Sequence, residues 1–223
     1  FPLILNSMDL KVEKQLWRKG YDTIIGIDEV GRGSLAGPML LVAAILRKED
    51  EVALKKIRGV NDSKQLSQKK REAIFEQVIA LRIPYIVHKA SPIEIDKHNI
   101  YWAGIRGCDA LIKKYDSSFL CHSREGGNPV RRFVVCDGGL FVPKLGREKQ
   151  ETFIRGDSHV FAIALASVIA KCIRDALMVR LAKKYPNYGW EQNKGYGTKK
   201  HIESIQNVGK SSLHRLTFLK NIV

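Results

Sequence analysis

Five short apolar segments along the chain indicate buried β-strands. The first, at 23–27, is rich in β-branched residues, and the second, at 39–46, is entirely apolar. The segment between them is rich in glycine and is predicted to be a loop, so we expect these two strands to pair in a hairpin-like arrangement. The remaining predicted strands cover residues 84–89, 133–136 and 152–155.

Four longer segments are predicted to be helices. Ser67 can cap the first, which continues to Leu81 with Ile74 and Val78 on its apolar face. The other predicted helices cover residues 99–115, 158–184 and 198–208. The helix that starts at 158 is apolar nearly all round in its first half and should be buried. Strands followed by helices favour an α/β fold with a helical C-terminal appendage.

The composition changes this picture mainly through its charge. Of the 223 residues, 44% are hydrophobic and 27% are charged, which excludes disorder, collagen or a coiled coil as a description of the whole chain. The 38 Lys and Arg residues outnumber the 23 Asp and Glu residues and give a net charge of +15. Such an excess attracts polyanions, with nucleic acid as the leading candidate. A ribosome-like protein or a protein of anionic membrane surfaces would show the same excess.

Hydropathy and cysteine content favour a cytoplasmic protein without a membrane anchor. No segment has the roughly 18 consecutive apolar residues of a membrane span, and residues 1–5 lack the basic leader of a signal peptide. Cys108, Cys121, Cys136 and Cys172 form no Cys-x-x-Cys pair and have no His at zinc spacing. We therefore expect reduced thiols.

The chain divides into three predicted regions. Residues 1–22 are an N-terminal extension with a short helix, 23–184 form the main domain, and 185–223 form a helical region richer in Tyr, Gly, Lys and His. Residues 117–132 show neither a helical nor a strand period and are predicted to be a surface insertion.

Carboxylates follow three of the predicted strands. Asp28 and Glu29 end the first strand, Asp137 ends the fourth, and Asp157 follows the fifth. Side chains at such strand ends converge on one crevice, where four carboxylates would repel one another unless cations neutralised them. Divalent cations such as Mg²⁺ prefer oxygen ligands, and two of them can promote phosphodiester hydrolysis. An acidic cluster in a basic protein therefore indicates a nuclease, although each Asp by itself could be a turn residue, or at Asp157 a helix cap.

The glycine-rich loop at 31–38 suggests a second functional element. Gly31, Gly33 and Ala36 fit a relaxed dinucleotide-binding pattern, but an apolar strand follows where that fold needs a helix. Beside a metal site, such a loop can instead bring backbone N–H groups close to a sugar or a phosphate.

Several blocks of the sequence together resemble one enzyme family. Residues 26–38, GIDEVGRGSLAGP, resemble the N-terminal motif of ribonuclease HII, the bacterial type 2 ribonuclease H, and residues 61–67, NDSKQLS, resemble its second block. Further matches are found at 137–138, 156–158, 166–175, 185–189, 194–198 and 214–218. The resemblance covers about residues 12–220 in the order of the family.

The resemblance implies a ribonuclease H-like fold, in which a mixed sheet is flanked by helices and 23–184 is the catalytic domain. It implies an endonuclease that uses Mg²⁺ or Mn²⁺, by two-metal-ion catalysis, to hydrolyse the RNA strand of RNA–DNA hybrids. It also implies incision on the 5′ side of single ribonucleotides embedded in duplex DNA, leaving 3′-hydroxyl and 5′-phosphate ends. The partners would be these nucleic acids, with no membrane, and the protein would be a monomer. The alternative, a catalytically silent hybrid-binding protein on the same fold, would need a missing carboxylate, and none is missing.

The family's catalytic positions carry over to four acidic residues of this chain. The resemblance makes Asp28, Glu29, Asp137 and Asp157 the metal-binding catalytic carboxylates. Asp175 is expected to form an ion pair within its helix instead, because it lies about five helical turns beyond Asp157.

The family's substrate-binding positions carry over as well. Gly31, Arg32 and Gly33 would recognise the 2′-hydroxyl, the group that separates RNA from DNA. Tyr196 would stack on the sugar beyond the scissile junction, and Lys64 would contact a phosphate. Two alternatives stay open, because Arg32 could bridge carbonyls of its own loop and Tyr196 could belong to the core.

Overall fold

A five-stranded mixed sheet forms the centre of the molecule. The computed structural model describes residues 8–119, 130–220 and 222. Its strands are Thr23–Val30 (β1), Met39–Arg47 (β2), Tyr85–Ala90 (β3), Arg132–Asp137 (β4) and Gln150–Phe153 (β5), in the spatial order β3-β2-β1-β4-β5. β1 and β2 pair antiparallel, as the predicted hairpin requires, β3 is antiparallel to β2, and β4 and β5 run parallel to β1. As a result β1, β3, β4 and β5 all end at one end of the sheet, called here its C-terminal end.

Eight α-helices in the described residues surround this sheet or follow it. They are Lys11–Arg18 (α1), Glu51–Leu54 (α2), Gln68–Ala80 (α3), Pro92–Phe119 (α4), Phe161–Lys184 (α5), Trp190–Asn193 (α6), Lys199–Val208 (α7) and Leu216–Leu219 (α8). None of them is long and apolar enough to cross a membrane.

The two faces of the sheet are covered by different helices. Successive side chains of a strand point to opposite faces, and in β1 Ile24 packs in one apolar cluster with Ile169 of α5, whereas Ile25 packs in another with Leu111 of α4. Burial on both faces explains why β1 and β2 are nearly continuous apolar runs. The fold is therefore the predicted α/β arrangement of a mixed sheet flanked by helices.

The packing of α5 on β1 depends on Gly26. A Cβ atom at this position would overlap the backbone carbonyl of Ala162, in the first turn of α5. The missing side chain allows the N-terminal turn of the most apolar helix to lie directly on the central strand.

Two helices begin at positions that differ from the prediction. α5 begins at Phe161, after a 3-10 turn at Gly156–Ser158, and its N-cap residue is Val160, so Asp157 does not cap it. α4 is longer than the predicted 99–115 and contains a break at Asn99, where φ is 59°. The Asn99 side chain accepts hydrogen bonds from the N–H groups of Tyr101 and Trp102, as an internal cap. The predicted start at 99 therefore coincides with the break, whereas the helical residues before it, from Pro92, were not predicted.

The C-terminal region packs against the glycine-rich loop. Trp190 and Ile205 form a third apolar cluster with Leu35 and Ala36 of the loop and with Met178 of α5. The division at residue 184 stays a prediction.

The predicted insertion is described only at its two ends. Residues 117–119 are the last residues of α4, residue 132 begins β4, and residues 120–129, with Cys121, lie outside the described residues. Cys108, Cys136 and Cys172 are free thiols.

Candidate active site

Three of the four predicted carboxylates line one cleft at the C-terminal end of the sheet. Ile27 of β1 pairs with Cys136 of the parallel strand β4, so the next residues, Asp28 and Asp137, lie on neighbouring strands at the same level. Together with Glu29 they line a cleft of about 390 Å³. Sequence reasoning placed them together because parallel strands end at the same end of a sheet.

Asp157 reaches the same cluster from the turn after β5. Its carboxylate is 1% exposed and receives a hydrogen bond of 3.1 Å from the ammonium of Lys64, which lines the cleft. The N–H of Gly156, the preceding residue, donates to Asp137 at 2.6 Å. The turn therefore links Asp157 to Asp137 through the backbone.

The electrostatics of the cluster disfavour its negative charge. Burial, followed by the neighbouring charge of Glu29, raises the pKa of Asp28 well above its ordinary value, and Asp137 adds to the rise. Burial also raises the pKa of Glu29, against the opposing effect of Arg32, which pairs with it at 3.3 Å. Burial likewise raises the pKa of Asp137, with a further contribution from the charge of Asp157. Such a group of carboxylates is stabilised by added positive charge.

The donor set fits a divalent cation. Among the described residues, one buried carboxylate oxygen of Glu29 has no hydrogen-bond partner, and Asp28 and Asp137 line the same cleft. Mg²⁺ and Mn²⁺ prefer such oxygen ligands. No three Asp, Glu, His or Cys side chains between residues 8 and 119 or 130 and 220 surround a single point closely enough to hold one ion. In this arrangement Asp157 faces Lys64 and Glu29 faces Arg32 instead.

Two buried arginines determine the shape of the glycine-rich loop. Arg174 of α5 donates to the carbonyls of Pro38 and Ala36, and Arg215 from the C-terminal region donates to those of Gly31, Arg32 and Gly37. The carbonyls of the loop are therefore bridged by Arg174 and Arg215. Arg32, for which this role was an alternative, does not bridge them in the hydrogen bonds of the described residues. The role of these two arginines was not predicted, because the sequence does not distinguish a buried arginine that binds carbonyls from an exposed one.

Gly31 is required where Arg174 passes. Its φ is +84°, in the left-handed region that favours glycine, and a Cβ atom there would overlap the guanidinium of Arg174. Gly33, in contrast, has open space where a Cβ would lie. The backbone N–H groups of Arg32 and Gly33 donate to no group within the described residues, although both residues line the cleft. The loop therefore offers free donors at the site.

Tyr196 also lines the cleft, and its backbone forms a β-bridge with Ser34 of the glycine-rich loop. The ring is half-buried, with the Arg174 guanidinium 5.4 Å and the Lys171 ammonium 5.8 Å from its centre. It lines the cleft and belongs to none of the three apolar clusters. The core interpretation of Tyr196 is therefore wrong.

Sequence reasoning missed four polar residues that line the cleft. They are Ser63, Arg71, Ser167 and Lys171. The hydroxyls of Ser63 and Ser167 are 2.8 Å apart, and Ser167 lies beside Asp28, whose pKa it lowers against the larger effect of burial. A single serine in the otherwise apolar first half of α5 was a usable signal for Ser167.

Asp175 forms the ion pair that was expected of it. Its carboxylate lies 2.9 Å from the ammonium of Lys171, one helical turn earlier, and 3.7 Å from the guanidinium of Arg71 on α3. These contacts hold Lys171 and Arg71 at the border of the cleft.

Comparisons with known proteins assign the chain to a family. The family model described as Ribonuclease HII matches residues 25–119 and 128–221, and the unmatched residues 120–127 fall within the predicted insertion. A protein named Ribonuclease HII from Prochlorococcus marinus is 42% identical over 212 residues, which cover 95% of each chain. Another, from Caldicellulosiruptor bescii, is 38% identical over 213 residues, which cover 96% of this chain and 94% of the relative.

Solved structures agree in fold. RNase H3 of Aquifex aeolicus superposes with a TM-score of 0.67 at 18% identity, covering 93% of this chain and 77% of that one. RNase HII of Archaeoglobus fulgidus, solved in complex with PCNA, has a TM-score of 0.59 at 25% identity and covers 87% of this chain and 94% of that one. The predicted ribonuclease H-like fold and the predicted enzyme class are confirmed, and the chain belongs to the ribonuclease HII family.

Proposed function

We propose that this ribonuclease hydrolyses the RNA strand of RNA–DNA hybrids and cuts duplex DNA on the 5′ side of a single embedded ribonucleotide. The observation that carries the proposal is the meeting of Asp28, Glu29 and Asp137 in one cleft with the glycine-rich loop. The carboxylates supply a reaction centre, and the loop supplies donors for the group that distinguishes RNA from DNA.

The four carboxylates Asp28, Glu29, Asp137 and Asp157 would hold Mg²⁺ or Mn²⁺. When bound, such ions activate water, neutralise phosphate charge and stabilise the leaving oxygen. The water oxygen forms a bond to phosphorus and gives up a proton, while the bond from phosphorus to the 3′ oxygen breaks and this oxygen takes up a proton. The products carry a 3′-hydroxyl and a 5′-phosphate.

The chain's own residues position the substrate. The Ser167 hydroxyl lies beside Asp28 in the cleft and would orient its carboxylate. The exposed ammonium of Lys64 would exchange its contact with Asp157 for a phosphate oxygen when the acidic group is neutralised. The free N–H groups of the loop at Gly31, Arg32 and Gly33 would bind the 2′-hydroxyl, and the Tyr196 ring would stack on the next sugar.

The test is cleavage of a labelled DNA duplex with one internal ribonucleotide, with Mg²⁺, with Mn²⁺ and with a chelator. We expect one cut on the 5′ side of the ribonucleotide, dependent on the metal and mapped to the nucleotide. The all-DNA duplex is the control. Binding of the hybrid without any cleavage in either metal would favour the catalytically silent alternative and overturn the proposal.

A further inference from the structure

A second groove, separate from the catalytic cleft, lies on the outer side of α4. It has a volume of about 500 Å³ and is lined by Lys97, His98, Trp102, Arg106, Asp109 and Pro143. We call it the α4 groove. Neither the carboxylates nor the glycine-rich loop contribute to it, so the proposed reaction does not account for it.

The α4 groove carries uncompensated positive charge. Lys97 and Arg106 are exposed and form no ion pair with any described residue. The carboxylate that lines the groove, Asp109, is 3.3 Å from the ammonium of Lys113 and is thereby neutralised. An occupant with negative charge is therefore favoured.

An exposed aromatic ring lies among these cations. Trp102 is 50% exposed, although the other two tryptophans, Trp17 and Trp190, are buried. The neighbouring Tyr101 ring meets it edge-on at 5.3 Å, and the Asn99 side chain accepts from both backbone N–H groups at the start of this helical turn. A supported, exposed indole beside cations is the arrangement on which unpaired nucleotide bases stack.

The α4 groove borders the same end of the sheet as the cleft. Gly104, on the inner side of this turn of α4, faces Leu140 and Met39. Leu140 follows three residues after Asp137, and Met39 begins β2 where β1 ends. The helix that carries the α4 groove therefore packs on residues at the end of the sheet where the cleft lies.

We propose that the α4 groove binds a single-stranded segment that extends from the duplex held in the cleft. In a duplex the bases are stacked on one another, so only its phosphates could contact the groove, through the cations. An unpaired strand can contact the cations with its phosphates and stack a base on the indole. The proposal rests on the proposed function, because it takes nucleic acid as the substrate. It adds a preference for hybrids with single-stranded tails.

The experiment compares Kd values, measured with a chelator, for a blunt RNA–DNA hybrid and for the same hybrid with an eight-nucleotide tail at either end of either strand. We expect at least one tail to tighten binding by roughly tenfold, the scale of one or two stacked bases. Trp102→Ala and the double variant K97A/R106A should lose most of this advantage while cutting the blunt hybrid at the unaltered rate. The matched control is K19A/K48A, which removes two exposed lysines at the other end of the sheet.

Fluorescence provides a second readout in the unmodified protein. Because Trp17 and Trp190 are buried, quenching by a tailed but not by a blunt hybrid would report on Trp102. Equal weakening of blunt and tailed hybrids in Trp102→Ala would overturn the proposal. So would the absence of any tail advantage. Failure to cut any hybrid would refute the proposed function and leave these binding comparisons intact.

Discussion

Asp28 combines a buried position with a charge that the folded protein disfavours. It is 5% exposed, and burial together with Glu29 raises its pKa well above the ordinary value. A raised carboxyl pKa means that the ionised form is less stable in the folded than in the unfolded chain, so at neutral pH this charge weakens the fold. Such a loss of folding stability is typical of residues that serve catalysis and not stability.

Replacing Asp28 with Asn is therefore expected to have opposite effects on activity and on stability. Cleavage in Mg²⁺ should fall by about a thousandfold or more, because several kcal/mol of metal-dependent charge stabilisation is lost. The melting temperature in chelator should rise, and the Kd for hybrid should change little, because no basic contact is removed. Asp50→Asn, at the other end of the sheet, is the control. Near wild-type cleavage by Asp28→Asn would remove this residue from the catalytic site.

Gly31 and Gly33, two of the three glycines in the loop, predict different effects of an added methyl group. The methyl group of Gly33→Ala would meet no atom of the described residues, whereas that of Gly31→Ala would overlap Arg174 at a position of positive φ. We expect Gly33→Ala to keep the wild-type melting temperature but to lose about ten- to a hundredfold in kcat/KM, since its methyl group would separate the loop from the ribose. Gly139→Ala, which also meets open space but lies outside the cleft, should keep both. Unaltered cleavage by Gly33→Ala would exclude close substrate approach at this point.

At the scale of elements, α1 contributes a carboxylate to the start of α5. Glu13 is fully buried, and one of its oxygens accepts from the N–H of Ala162 at 2.9 Å, while the other has no partner. Burial raises the pKa of Glu13 to about 7. This contact joins the N-terminal helix to the helix that carries Ser167 and Lys171.

The position of Glu13 predicts a pH dependence of stability. Between about pH 4.5 and 7 the folded protein keeps a proton that the unfolded chain has lost, so the free energy of unfolding falls as the pH rises through this window. The loss at pH 8 is about 3 kcal/mol. Glu13→Gln keeps the hydrogen bond to Ala162 without the charge and should exceed the wild type in stability at pH 8 and approach it at pH 5. Denaturant unfolding at both pH values, with Glu151→Gln as the exposed control, measures the difference, and a pH-independent difference would contradict this account.

A buried histidine pair in the C-terminal region responds to pH in the opposite direction. His201 receives a hydrogen bond from the indole of Trp190 and lies 3.2 Å from His214, nitrogen to nitrogen. Burial, followed by the effect of His201, lowers the pKa of His214 to about 4. The unfolded chain therefore binds a proton between about pH 6.5 and 4 that the folded chain does not, so this pair loses stability as the pH falls. For this reason the stability of Glu13→Gln is compared with that of the wild type at the same pH.

At the scale of the whole molecule, the net charge of +15 controls the affinity for nucleic acid. If the protein neutralises about six phosphates, the logarithm of the association constant should fall with the logarithm of salt concentration with a slope of roughly −5. Affinity would then drop by about a thousandfold between 50 and 200 mM salt. Anisotropy of a labelled blunt hybrid in chelator measures this slope, and a slope near zero would contradict a phosphate-binding surface.

The amino-acid sequence determined much of the fold because its main signals are local. The strands β1 and β2 and the helix α5 follow from apolar patterns within each segment, and the acidic residues at strand ends follow from the direction in which parallel strands run. The excess of lysine and arginine is likewise known from the sequence alone. These features predicted the α/β sheet and the place of Asp28, Glu29 and Asp137.

Only the tertiary structure decided which polar residues complete the site. Ser63 and Ser167 are 104 residues apart, and Arg215 is 184 residues from the carbonyl of Gly31 that it binds. The sequence around a serine or an arginine looks the same whether the side chain is exposed or binds a distant residue. It therefore does not indicate the partner. The sequence placed the start of a helix at Asn99, but it predicted neither the helical residues before it nor the left-handed backbone at the break. Pairing between distant residues is a property of the packed chain, because the energy of each contact depends on the burial that the rest of the fold provides.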